Sequence, residues 1–298
     1  MKFGLAFANT GPFATPAGAR ELAAAVESAG IESIWTVEHV IWPKQYDSEY
    51  PYSPTGKMPG DSSSPIPDPL VWLTWMAALT TEVKLATGIL ILPERNPLVL
   101  AKETATLAAL SDDRLVLGIG VGWLEEEFDA LGVPFAKRGA RTDDYVDAMR
   151  ALWAGDDASH DGEFSSFSEV SVNPKPPSGS VPIVVGGHSK AAARRAGRLG
   201  DGFFPGVGLG GSADAGANLA ELLDIVRQTA ADAGRDPEAI EITAPHAGFG
   251  GSDPVGAAQE LRDLGVDRTT LGAFALWGDT AGKAQEMAEH IIAPCADI

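Results

Sequence analysis

The chain has 298 residues, 45% hydrophobic and 21% charged, which suits one large core and is too short for several domains of ordinary size. Its formal net charge of −19 repels phosphodiester backbones and anionic membranes, so neither nucleic acid nor a membrane surface is an expected partner. Cys295 is the only cysteine, which excludes an intrachain disulfide framework and a cysteine-built metal centre, and no metal site is expected.

Met1 to Ala8 already alternates like a strand, without the basic and apolar regions of an export signal, and no run is long enough for a membrane span. A cytoplasmic protein is expected. From there, short β-branched or aliphatic runs alternate with longer amphipathic or Ala-rich segments, the pattern of repeated βα units on a parallel sheet. Eight strands are predicted: Phe3–Ala8, Ser33–Val37, Lys84–Leu90, Arg114–Ile119, Ile183–Val185, Gly202–Phe204, Ile240–Ala244 and Arg268–Ala273. Helices are predicted near 16–29, 68–80, 97–110, 140–154, 189–199, 214–233, 254–264 and 280–292, with Pro97 and Pro254 as starts and Gly30, Gly200, Gly234 and Gly265 as stops. Eight units predict a single TIM (β/α)8 barrel over residues 1–298. Two insertions interrupt it, at about 40–67 after the second strand and about 156–180 before the fifth. On such a barrel the loops that follow strands form the catalytic face, so the first insertion is read as a lid.

The second strand ends in Glu38-His39 and enters the insertion through Trp42. An imidazole and a carboxylate at a strand's carboxyl end are placed for proton transfer near neutral pH, although a lone histidine there is as readily structural. Trp35, Trp42, Tyr46, Tyr50, Tyr52, Trp72 and Trp75 cluster around that insertion. They suit the walls of a pocket for a planar ring or apolar substrate, or ordinary packing of a large loop. Trp42 and Tyr50, with Phe7 at the end of the first strand, are the candidate substrate-pocket residues.

The third strand carries Thr87-Gly88, a glycine that suggests a bulge or a close ligand, and leads into Pro93-Glu94-Arg95-Asn96-Pro97. The fourth runs into Gly118-Ile119-Gly120-Val121-Gly122-Trp123. This is not a dinucleotide fingerprint, because Trp123 stands in the last glycine's place and no clean helix start follows. The fifth ends in Gly186-Gly187-His188-Ser189 at a helix amino terminus, where free backbone N–H groups suit a phosphate. Lys190, Arg194, Arg195 and Arg198 on that helix either draw an anionic cofactor tail or simply complement the helix dipole. Gly200-Asp201-Gly202 and Gly206-Val207-Gly208 flank the next strand and are placed to close the phosphate site from a second side. His246 and His290 read as core or surface residues, His160 as solvated and Cys295 as inert.

Two stretches resemble the luciferase-like monooxygenase superfamily, in its branch dependent on the deazaflavin coenzyme F420. One spans Pro93 to Trp153, through Asn96-Pro97, Lys102-Glu103, Gly118 to Trp123, Glu127-Phe128, Arg138-Gly139 and Leu152-Trp153. The other is Pro182 to Phe203, with its Gly-Gly-x-Ser loop and Arg194-Arg195-Ala196. The resemblance implies that Glu38 and His39 sit over the deazaflavin ring, with His39 as proton donor or acceptor during hydride transfer. It also implies a cis peptide at Thr87-Gly88 behind the ring, cofactor contacts at Gly122 and Trp123, and Gly186, Gly187, His188 and Ser189 as phosphate ligands. Sugar-phosphate-oxidising relatives carry a catalytic glutamate right after the Gly-x-Gly; Trp123 replaces it here, which puts that chemistry in doubt. Asp112-Asp113-Arg114 departs from the usual Ser-Gly-Arg turn, a structural change. By analogy the protein is a homodimer.

Three functions compete. The first is F420-dependent hydride transfer to or from an organic small molecule. The second is a monooxygenase that takes reduced FMN from a separate reductase partner. The third is a non-catalytic flavin-binding protein of the same fold, against which Glu38 and His39 argue. The Arg-rich helix and the Ala, Gly and Asp content favour the first.

Overall fold

The computed structural model describes residues 1–298 apart from 54, 211 and 212, and the side chains of 213–215. Eight parallel strands form the barrel: Lys2–Ala6, Ser33–Thr36, Lys84–Thr87, Leu115–Gly120, Ile183–Gly186, Gly202–Phe204, Glu241–Ile242 and Arg268–Gly272. The first pairs with both the second and the eighth. The ring closes through the single bridge Thr243–Arg268, where the Ala244 amide donates to the Arg268 carbonyl at 3.0 Å. The predicted TIM barrel is the observed fold.

The predicted helices form as α1 Pro16–Ala29, α2 Pro69–Leu79, α3 Pro97–Leu110, α5 Arg138–Ala154, α6 Lys190–Leu199, α7 Ala213–Asp232, α8 Pro254–Asp263 and α9 Thr280–Met287. Side-chain caps start many of them: Asp68, Asn96, Ser189 and Asp253 each accept from first-turn amides. One more helix, α4 (Glu125–Leu131), follows the glycine-rich exit of the fourth strand, where no clean start was expected. Its N-cap residue Leu124 offers no side-chain cap, but Ser48 Oγ from the insertion accepts the Glu125 amide at 3.1 Å, and Glu125, Glu126 and Glu127 fill the first turn and complement the positive end of the dipole. The 156–180 insertion is not loop throughout. It folds into an antiparallel hairpin, Ala158–Asp161 with Ser166–Val170, and His160, expected in solvent, is half-buried against Asp144 at 3.0 Å.

Strand ends shift where the backbone turns to build the site. The first strand stops at Ala6 because Phe7 adopts φ 62°. The third stops at Thr87 and resumes as Leu90–Ile91, paired with the fourth. The cis peptide lies at Gly88–Ile89, one bond later than expected. The Gly88 amide still donates to the Thr36 carbonyl at 2.7 Å, so the chain leaves the ladder only after it. Asp112 and Asp113 both take left-handed conformations in the turn before the fourth strand, and Arg114 anchors that turn through bonds to Ser111, Thr80, Val83 and Ala77.

Inside the barrel, Trp35 packs on Ala86, Val116, Val184 and Phe204, and its indole N–H donates to Ser33 Oγ at 2.8 Å. The amino-terminal end is plugged by charge. Arg268 donates to both Glu32 oxygens at 2.7 and 2.8 Å, pairs with Glu241, and lies 5.5 Å from the Trp35 ring centre. Burial pushes the Glu32 and Glu241 carboxyls up, but Arg268 outweighs it and holds both below their ordinary values. Among the described residues no helix is long and apolar enough to cross a membrane, and no cluster of His, Cys, Asp and Glu forms a metal site. Cys295 is buried, with its thiol pushed up by burial.

Truncating Arg268 to Met leaves two half-buried carboxylates without their shared cation, and we expect a loss of about 1–3 kcal/mol in chemical denaturation at neutral pH. The sign of the pH dependence follows from the depressed carboxyls. Their contribution is full above the ordinary carboxyl range and disappears as pH falls through the lowered values, so the gap between wild type and variant must narrow in acid.

Candidate active site

At the carboxyl ends of the strands, one carboxylate organises the site. Glu127, in the first turn of α4, has a side chain with no solvent exposure. One oxygen bonds His39 Nδ1 at 2.8 Å and the other accepts the Ile41 amide at 3.0 Å. The imidazole is only 9% exposed, and with Nδ1 tied to Glu127 its Nε2 is the nitrogen left to meet a ligand. The neighbouring Glu126 grips the same insertion further along, accepting from the Asp47 and Ser48 amides and from the Ser48 hydroxyl at 2.6, 3.2 and 2.7 Å. Burial works upward on Glu126, but these donors outweigh it and bring the carboxyl down to about 2, so the grip persists through the ordinary pH range.

Glu38 faces away from this chemistry. Its side chain is buried, one oxygen accepts the Ile91 amide at 2.6 Å, and the other pairs with Arg95, which also holds Asp68 at 2.7 Å. Burial pushes the Glu38 carboxyl up, with Arg95 and the Ile91 amide pulling against it. Both oxygens are thus occupied in joining the second strand's exit to the third's. Asn9 performs the same service one residue earlier: its amide donates to the Val37 and Pro67 carbonyls at 2.9 and 3.1 Å, and its oxygen accepts the Val37 amide at 2.9 Å.

The glycines of the fourth and fifth strands seat a side chain. A Cβ at Gly118 would overlap the Thr87 carbonyl, one at Gly120 would overlap Ile89 Cδ1, and one at Gly186 would stand 2.6 Å from Ile89 Cγ2. Ile89 therefore sits as a half-buried knob in a glycine cradle. Thr87, expected to touch cofactor, is fully buried, and its hydroxyl donates to the Gly118 carbonyl at 2.6 Å. Its place is behind the floor rather than on it. Gly122, at φ 78°, leaves no room for a Cβ between Phe128 and Ile91, so it turns the chain into α4.

Aromatic rings link the two halves of the mouth. From His39 the contacts run to Trp42 (centroids 6.2 Å apart) and Trp123 (5.9 Å), then from Trp123 to Tyr46 (5.7 Å) and Tyr50 (5.2 Å). Tyr50 meets Tyr52 (5.4 Å), and Tyr52 meets His188 (4.9 Å). The structure thereby brings His39, Trp42, Tyr50, Trp123 and His188 into one wall. Phe7 lies elsewhere on the rim, exposed and 6.4 Å from Phe274.

At the fifth strand's exit, Gly187 has φ 114° and Ser189 caps α6, accepting the Ala192 amide at 3.1 Å. The first-turn amides of α6 have no intrahelical acceptor, the arrangement that receives a phosphate. The basic cluster on that helix is largely engaged: Arg195 and Arg198 pair with Asp143, and Lys190 with Glu221. A half-buried apolar floor, a wall of rings and an anion-receiving helix end on the same carboxyl-terminal face fit a planar ring with a phosphorylated tail. The sequence pattern contains Glu127, Arg95 and the third strand's Ile89 without assigning them a role, and it gives no sign of a site role for Asp68 or Phe274. The triple glutamate at a strand exit was the available signal for Glu127; the others depend on packing.

A family model described as luciferase-like monooxygenase matches residues 1–296. The chain belongs to that family. An uncharacterized protein of Mycobacterium tuberculosis is 35% identical over 252 residues, covering 84% of this chain and 83% of the relative. The F420-dependent glucose-6-phosphate dehydrogenase of Mycolicibacterium gilvum is 30% identical over 226 residues, covering 74% of this chain and 61% of that one. Among solved structures, the monooxygenase RslO1 of Streptomyces bottropensis superposes with a TM-score of 0.73 at 25% identity, covering 99% of both chains. The coenzyme F420-dependent tetrahydromethanopterin reductase of Methanopyrus kandleri reaches 0.75 at 17% identity over 98% of this chain and 99% of that one, a likeness of fold.

Glu127→Ala frees both His39 and the Ile41 amide. We expect a stability loss of about 1–3 kcal/mol together with faster proteolytic cleavage between residues 40 and 67. Glu126→Ala is expected to speed cleavage there without disturbing the His39 ring signals in NMR spectra.

Proposed function

We propose that this protein is an F420-dependent oxidoreductase that moves hydride between the deazaflavin and an uncharged, apolar organic substrate. The observation that carries this reading is the clasp of Glu127 on His39 Nδ1, which leaves Nε2 as the proton-transferring atom at the rim. In this account Ile89 supports the ring, Trp123 borders it, and the backbone of Gly186, Gly187, His188 and Ser189 receives the phosphate of the tail. When bound, the deazaflavin supplies the ring carbon that gives or takes hydride. His39 gives or takes the matching proton at the substrate oxygen, Glu127 keeps the imidazole oriented, and the aromatic wall excludes water. Glu38 acts from behind by holding the Ile91 backbone in place.

The substrate class is supported by Trp123, which stands at the position of the sugar-phosphate enzymes' glutamate and packs against His39, and by the exposed Phe7 and Phe274. A second reading, a monooxygenase using reduced FMN from a partner reductase, draws on the full-length likeness to RslO1. A homodimer in the cytoplasm completes the proposal. Val71 and Trp75 on α2 and Val99 and Leu110 on α3 are large apolar side chains left exposed, and light scattering of the purified protein tests the dimer.

Purified protein is expected to quench F420 fluorescence at micromolar concentration and to bind FMN far more weakly; equal or tighter FMN binding reverses the order of the two readings. His39→Ala is expected to keep cofactor binding while turnover falls about 100-fold or more, as for loss of a general acid or base. Unchanged turnover removes His39 from the mechanism.

A further inference from the structure

The function above engages the exits of the second to fifth strands, through His39, Ile89, Trp123 and the Gly186–Ser189 loop. The first strand pairs with both the second and the eighth, so the exits of the first and eighth lie next to that of His39. They carry two large apolar rings left in solvent: Phe7 is 43% exposed and Phe274 58%. Phe7 is held in an unusual way. Its φ of 62° lies in the left-handed region, which a bulky side chain seldom adopts, and such strain persists only where the surroundings over-determine it. Here they do. The Phe7 carbonyl accepts from the Thr10 hydroxyl at 2.8 Å and the Thr10 amide at 3.2 Å, and the Ala8 amide donates to the Trp35 carbonyl at 3.0 Å. Asn9, fully buried, then exchanges two hydrogen bonds of 2.9 Å with the Val37 backbone, two residues before His39. The turn that presents Phe7 is thus tied to the strand exit that presents the imidazole. The Phe7 ring meets Phe274 at 6.4 Å, and a Cβ at Gly272 would overlap the Phe274 ring, so that glycine gives the second ring its seat. A turn that served only to join the first strand to α1 would be relieved by glycine at position 7 and would hide no less apolar surface with a polar side chain there.

We propose that Phe7 is a specificity-determining residue, and that with Phe274 it forms a subsite for the apolar, ring-bearing body of the substrate beside the strand exit that carries His39. The left-handed turn fixes the Phe7 ring at the mouth, and the bonds of Thr10 and Asn9 keep it there. Aromatic rings gain from offset or edge-on contact beyond the area they bury, so the pair selects an aryl group over an alkyl chain of similar reach. The neighbouring exit of the seventh strand offers no such surface. There the His246 side chain is buried and tied to the Gly248 amide and Glu260, and Phe249 is buried too. The inference deepens the reading above, in which the substrate's reacting oxygen meets His39.

The probe is acetophenone, an uncharged ketone that carries an aromatic ring, with acetone as the control that lacks it. Both are titrated into cofactor-free protein with 13C-labelled phenylalanine rings, the Phe7 and Phe274 signals being assigned by their disappearance in Phe7→Gly and Phe274→Ala. Acetophenone is expected to shift both signals and acetone, at the same concentration, neither. Phe7→Gly is expected to weaken acetophenone binding about 10-fold. Melting temperature separates this role from a structural one. Glycine relieves a left-handed position and alanine does not, so Phe7→Gly is expected to melt at or above wild type and Phe7→Ala below Phe7→Gly. Ring signals that ignore acetophenone, unchanged affinity in Phe7→Gly, or a Phe7→Gly variant that melts below wild type each overturn the proposal. So does a shift of the two rings that follows protein concentration instead of acetophenone, the mark of a contact between two copies of the chain. These readouts need neither F420 nor turnover, so they stand or fall apart from the fluorescence titration and the His39→Ala rate experiment.

Discussion

A carboxyl group shut away from water needs partners for both of its oxygens, and Glu127 finds them by clasping two parts of one loop. Its partners are the His39 ring and the Ile41 amide, both on the segment that leaves the second strand for the long insertion. The same contact therefore sets the direction of the imidazole and the position from which the aromatic lid begins. Glu126, one residue earlier on the same short helix, repeats the device at Asp47 and Ser48. The fourth strand's exit thus holds the second strand's exit across the mouth, and the site depends on that span.

The glycines play a part different from the one glycine usually suggests at a cofactor site. They open space for Ile89, and Ile89 in turn forms the surface on which a ring can lie. An apolar knob held from three strands is a firmer support than bare backbone, because its position is fixed by the barrel. Beneath this floor, charge is satisfied in layers: Glu38 with Arg95 near the mouth, and Arg268 with Glu32 and Glu241 at the opposite end. The catalytic face and the stabilising face of the barrel are separated by Trp35 and its neighbours.

Much of this was legible in the amino-acid pattern, and the failures have physical causes. The barrel could be read because eight apolar runs alternate with capped helical segments, and caps such as Asp68-Pro69 and Asn96-Pro97 act locally. His39 and the Gly186–Ser189 loop could be picked out because strand exits and helix starts are local features too. Thr87 was assigned to the cofactor because the glycine beside it implied an open face, but its hydroxyl lies against Gly118, a neighbour 31 residues away. Glu38 was paired with His39 by adjacency, whereas beyond the strand's end at Thr36 the two side chains take different partners, Glu38 on Arg95 and His39 on Glu127. The role of Ile89 was invisible because it arises from glycines on two other strands, the fourth and the fifth. The α4 helix escaped notice because its own N-cap residue, Leu124, supplies no side-chain cap and the first-turn acceptor is Ser48, distant in sequence.

The most direct test is a crystal structure of the protein with F420 bound. The account predicts the deazaflavin ring lying on Ile89, its phosphate at the amides of Gly187 to Ser189, and His39 Nε2 at the open face of the ring with Nδ1 still on Glu127. A ring bound away from Ile89, or an imidazole that has left Glu127 to meet it, would contradict the account.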